Sequence, residues 1–216
     1  MDYRLIVYQS RVNQGVTAVN NSTVAVTVYI PFKCHCIEMY DINNKHKLKY
    51  ISVPGMCSDS GIKMINNKLV VGGDDRLLIV DYQTGDTIQT IQTDCTPYRV
   101  HASGDRIFFI NSIYKPFNSD YDNNLYWYSF TDDNIQTLTL PSIPHSITTL
   151  QDGSLYVLCK DRSVQHVSSN GKHFKTLKTN QSIVLNGCHK IYYNLKQRKM
   201  ITYNTFTGTV KILQEK

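Results

Sequence analysis

Between Gly61 and Ile91 the apolar residues fall into four short runs: Ile62-Lys63-Met64-Ile65, Leu69-Val70-Val71, Leu77-Leu78-Ile79-Val80 and Thr87-Ile88-Gln89-Thr90-Ile91. The gaps are Asn66-Asn67, Gly72-Gly73-Asp74-Asp75 and Gln83-Thr84-Gly85-Asp86. Asn and Gly tolerate positive φ, as tight hairpins between antiparallel strands require. The pattern predicts four antiparallel strands in one meander. Such a sheet is apolar on both faces and needs a similar sheet stacked on each side.

The same order of runs recurs along the chain, in copies over residues 15–52, 60–92, 98–139, 146–178 and 182–214. The first repeats the Asn-Asn turn at Asn20-Asn21, and Ile30 to His35 lengthen its second turn. The third carries Ser103-Gly104-Asp105 and a long loop from Asn111 to Asn123. The fourth has Asp152-Gly153 and Asn170-Gly171, and the fifth Asn186-Gly187 and Thr207-Gly208. A spacing of roughly 40 residues is that of one four-stranded propeller blade. A β-sandwich gives no reason for this recurrence, and few windows show a helical period. The expected fold is an all-β propeller with five complete four-stranded blades. Residues 1–14 hold one further strand-like run, Tyr3 to Tyr8, before a polar connection. Either that run pairs onto the last sheet and closes a five-bladed ring, or it is the remnant of a first blade in a six-bladed one.

Composition agrees with strands and narrows the setting. The 216 residues are 41% hydrophobic with 15 tyrosines, enough to bury a sizeable core. No apolar run reaches membrane-spanning length, and the N-terminus lacks a signal-peptide order, so a cytoplasmic location without membrane association is expected. The six cysteines have no disulfide-scaffold spacing. A net charge of +6 permits a nucleic-acid or acidic-protein partner without demanding one. No heptad region or other oligomerisation element is present.

The stretches GVTAVNNSTVAVT, GIKMINNKLVVGGDDRLLIVD, SITTLQDGSLYVLC and VSSNGKHFKTL resemble the C-terminal NHL-type propeller of invertebrate tripartite-motif proteins, the RING, B-box and coiled-coil ubiquitin ligases. The resemblance covers about residues 15–214. It implies an NHL-like propeller that recognises a partner, linked to ubiquitin signalling, with RNA binding as in some relatives. No C-x-x-C pair or cysteine–histidine ladder accompanies it, so ligase chemistry does not carry over.

Candidate chemistry is sparse. Cys34-His35-Cys36 is the one tight cluster of metal-type ligands, but in a strand His35 points away from the two cysteines, so an ordinary loop before a strand at Cys36 is the simpler reading. Asp120 to Asn124 begins like a calcium loop without its Gly and closing Glu. No nucleophile elbow or triad spacing occurs, and the first strands of the copies offer His101 and little else to a propeller hydrolase or lyase. No catalytic residue and no cofactor is expected. Lys45, Lys47 and Lys49 read as edge protection of an outermost strand, and Lys196, Arg198 and Lys199 similarly. A recognition face is expected where second-to-third-strand turns meet the inter-blade connections. It would carry Arg76, Arg99, Tyr114, Lys115, Phe117, Tyr121, Arg162 and Arg198, side chains that suit a protein target or adaptor, or single-stranded RNA.

Overall fold

The computed structural model describes residues 12–30, 34–57, 60–111, 122–177, 190–194, 197–203 and 207–214. Among them every regular element is a strand. β1 (Val12–Ala18), β2 (Thr23–Ile30), β3 (Cys34–Asp41) and β4 (His46–Ser52) make the first sheet. β5 (Ile62–Ile65), β6 (Lys68–Gly72), β7 (Arg76–Val80) and β8 (Thr87–Gln92) make the second. β9 (Pro97–Ser103), β10 (Arg106–Asn111), β11 (Asn124–Ser129) and β12 (Asn134–Thr139) make the third. β13 (Pro144–Thr149), β14 (Leu155–Cys159), β15 (Val164–Val167) and β16 (Phe174–Thr176) make the fourth. The fifth has three described strands, β17 (Lys190–Asn194), β18 (Lys199–Tyr203) and β19 (Val210–Gln214). Each sheet is a meander in which chain neighbours pair. The chain forms two compact units, Met1–Val100 and His101–Lys216.

In the first unit the pleat decides the core. Ala25, Ile37, Met39 and Ile51 leave one face of the first sheet and meet Ile62, Leu69, Val71, Leu78 and Val80 of the second. Each fully buried aliphatic side chain contributes about 1.5–3 kcal/mol. Val70, Leu77 and Ile79, on the alternate positions, are buried too, so the second sheet is covered on both faces. Its first hairpin turns through Asn66 and Asn67 at φ 47° and 58°, the left-handed pair that the Asn-Asn sequence predicts.

First strands of neighbouring sheets are joined by hydroxyl groups. Thr17 Oγ1 accepts the Met64 N–H at 3.3 Å, and a Cβ on Gly15 would lie 2.8 Å from the Ile62 nitrogen. The second unit repeats the device: Ser146 Oγ accepts the Ile191 N–H at 3.1 Å and Thr148 Oγ1 the Tyr193 N–H at 3.0 Å. There β17 stands to β13 as β5 stands to β1. The repeat pattern puts the first strand of the fifth copy at residues 182–186, which lie outside the described residues. Among the described strands it is β17 that holds the first place.

Two local expectations are corrected. Val12–Gln14 belong to β1 rather than to a polar connection, because Val12 and Asn13 pair with Tyr29 and Val28. Cys34-His35-Cys36 is strand and not loop: pairing continues through Tyr29↔His35 and Ile30↔Cys34, which satisfies backbone groups that a long turn would leave open. Cys36 is buried and its thiol donates to the Val28 carbonyl at 3.8 Å. Tyr3 to Tyr8 lie outside the described residues.

Candidate functional site

The turn between β6 and β7 is Gly73-Asp74-Asp75, closed by the Gly73 N–H donating to the Arg76 carbonyl at 2.6 Å. Connecting segments are fastened to it. The Cys57 N–H donates to the Gly72 carbonyl at 3.1 Å, the Gly72 N–H to Ser60 Oγ at 2.6 Å, and Met56 bridges Gly73. From the other side Thr96 Oγ1 donates to the Asp74 carbonyl at 2.6 Å, and the Thr93 N–H to that of Asp75 at 2.7 Å. Glycine is needed here because the approach is close: a Cβ on Gly72 would lie 2.1 Å from the Pro97 carbonyl oxygen. The sequence-predicted meeting of second turn and connections is thus a set of direct hydrogen bonds.

On this surface Pro54, Gly55, Asp74 and Asp94 are exposed, with Cys57, Asp75, Arg76, Thr96 and Arg99 partly so. Arg76 Nε donates to Asp75 Oδ1 at 2.6 Å, and this bond, helped by Gln92, holds the Asp75 carboxyl below the usual carboxylate range. Arg99 lies in β9 with φ 39°, its guanidinium carbon 4.4 Å from the centre of the Tyr98 ring. The face is therefore of mixed charge. Asp74, Asp75 and Asp94 stand on it beside Arg76 and Arg99.

The second unit builds the same arrangement. The Lys160 N–H donates to the Ile143 carbonyl at 2.8 Å and the Asp161 N–H to Ser142 Oγ at 3.3 Å, tying the β14–β15 turn to its connection. Arg162 is exposed at the tip of that turn, at φ 73°. At the stem of the long loop, Asp122 accepts from the Asn111 amide at 2.8 Å and from the Tyr126 hydroxyl at 3.0 Å. Tyr114, Lys115, Phe117 and Tyr121 lie outside the described residues.

Arg198 does not share a face with Arg162. The N–H bonds from Ile191 and Tyr193 to Ser146 and Thr148 make β13 and β17 run in the same direction. Arg198 follows the C-terminal end of β17, whereas Cys159, at the start of the Arg162 turn, pairs with Pro144 at the N-terminal end of β13. The shift of one strand in the last sheet moves the arginine to the opposite end.

Among the described residues no group of three His, Cys, Asp or Glu side chains is placed to hold a metal ion. Cys159 is buried, and desolvation, aided by the nearby Asp161 charge, pushes its thiol up to about 12, far from thiolate reactivity.

No protein-family model matches the chain, and no curated protein matches it. Solved structures do. The chain is similar to the Neurospora crassa Pan2 WD40 domain, with a TM-score of 0.67 and 9% identity over 88% of this chain and 59% of that one. It is also similar to BBS1N, solved in complex with ARL6DN, with a TM-score of 0.60 and 19% identity over 89% of this chain and 61% of that one. The chain has a β-propeller fold. The propeller spans about three-fifths of the length of these solved chains.

Proposed function

We propose that this propeller is a non-catalytic recognition module that binds a protein target or adaptor through the turn-and-connection face. The carrying observation is the surface around Asp74, Asp75 and Arg76: partly exposed side chains of both signs on turns fastened by backbone hydrogen bonds. Such loops lose little entropy on binding, and interspersed charges select a complementary protein surface. A phosphate backbone, by contrast, meets Asp74, Asp75 and Asp94 on the same face, so RNA is the weaker reading.

The test is capture from a cell extract with the tagged chain, comparing wild type with Asp74→Arg and Arg76→Glu, and with Lys172→Glu on another turn as the charge control. A partner lost from the first two and kept by the third supports the reading. A partner kept by all three, or RNA as the retained species, overturns it. The likeness of the repeats to tripartite-motif propellers extends the proposal to ubiquitin signalling, where a RING ligase or a ubiquitinated protein would be among the captured species.

A further inference from the structure

The last strand of each four-stranded sheet is an edge, and three of these edges carry devices that discourage pairing with another chain. β4 has Lys47 and Lys49, and a bulge at Leu48 where the register slips between Met39 and Tyr40. β8 has a matching bulge at Ile88, between Ile79 and Val80 of its partner strand. β16 is only three residues long, with Lys175 at its centre. β12 has none of these. Its six residues, Asn-Ile-Gln-Thr-Leu-Thr, pair with β11 without a register shift, and no charged residue occurs from Asn134 to Ser142.

The Leu140 N–H donates to the Asn123 carbonyl at 2.8 Å, and antiparallel pairing alternates from there, so Leu138, Gln136 and Asn134 turn their backbone groups toward β11. Ile135, Thr137 and Thr139 turn theirs outward. Thr137 and Thr139 are exposed and Ile135 is half-buried, and among the described strands none but β11 pairs with β12. The run is bounded by Asp133, at φ 47°, and by Pro141, which has no N–H to give. Its midpoint is Thr137, one of the outward residues.

We propose that the β12 edge seats a second copy of this chain, which adds its own β12 antiparallel about a two-fold axis at Thr137. In that register Thr137 exchanges backbone bonds with its counterpart and Ile135 with the other copy's Thr139, so every outward N–H and C=O of the run is paired. No like charges meet: Thr137 faces Thr137, Gln136 faces Leu138, and Asp132 and Asp133 of one copy fall opposite Ser142 and Pro141 of the other. A parallel pairing would set these acids side by side. The self-pairing does not depend on the recognition face proposed above. It doubles that face, so a target that repeats its epitope is held at two points.

The test is sedimentation velocity of the purified full chain over a range of concentrations, with variants whose folding is checked by melting followed by circular dichroism. Thr137→Pro deletes the central outward N–H without removing a bond to β11, since solvent-facing edge positions accept proline. Thr137→Lys sets two ammonium groups opposite one another on the axis. Thr137→Val keeps the backbone and the strand propensity, and Thr90→Lys puts the same charge on the exposed face of β8. Wild type, Thr137→Val and Thr90→Lys are expected to form dimers, with self-association at least roughly tenfold weaker in Thr137→Pro and Thr137→Lys. A monomeric wild type, undiminished dimers in either disruptive variant, or an equal loss in Thr137→Val or Thr90→Lys each overturns it. If wild type is monomeric and a captured partner is lost from Thr137→Pro, the edge takes a foreign strand in place of a second copy.

Discussion

The second sheet and the last sheet are built from similar strands and end in different states. In the second, Leu69, Val70 and Val71 of β6 and Leu77 to Val80 of β7 are buried at every position. In the last, burial alternates. Ile191, Tyr193, Met200 and Thr202 are buried, while Tyr192 at 60%, Val210 at 58% and Ile212 at 61% stand exposed beside Tyr203. The exposed residues form a ladder, since Tyr192 pairs with Ile201 and Ile201 with Ile212. Strand chemistry is thus common to both sheets, and the number of covered faces is not.

The difference is largest for truncation. Leu69→Ala removes a fully buried side chain packed between two sheets and is expected to cost about 2–5 kcal/mol in denaturant unfolding. A cost below about 1 kcal/mol would mean that the second sheet is looser than its packing indicates. Next comes Thr148→Val, which deletes the acceptor for the buried Tyr193 N–H and is expected to cost about 1–3 kcal/mol. Native-state amide exchange should show faster opening at Tyr193 in this variant. No change there would mean that packing alone holds β17 on β13.

Ile212→Thr, on the exposed ladder, is expected to stay within about 0.5 kcal/mol of wild type, because little area is lost from burial. A large destabilisation would show that this face is covered in solution, and the comparison would collapse. The smallest effect concerns acid. Asp81 is held below the usual carboxylate range chiefly by Lys68, and Asp75 by Arg76, both within the second sheet. Their stabilisation is present above the unfolded value of about 4 and is lost as pH falls through the depressed folded values. Amide exchange followed from about pH 5 to 3 should therefore weaken protection in β6 and β7 more than in β17 and β18. Equal loss in both would dissociate these carboxylates from the stability of the second sheet.

Much of the fold was legible because a period of two and glycine- or asparagine-bearing turns are local signals. The Asn66-Asn67 hairpin, the four strands of the second sheet and the buried runs of β6 and β7 follow from them directly. What failed was register at a distance. KIYYN reads equally well as a first or a second strand, and only the hydroxyl bonds to Ile191 and Tyr193 place it, which moves Arg198 to the other end. The candidate site was legible as a face, through its turns and connections.

The sequence by itself determined the repeat, the strand-and-turn order and the apolar alternation, since these depend on pleat, propensity and left-handed turn residues a few positions apart. Only the tertiary structure decided which faces are covered and which glycines touch a neighbouring backbone. Those properties arise where strands far apart in sequence meet, as Gly61 meets Arg99. Desolvation and close approach exist only once both partners are in place.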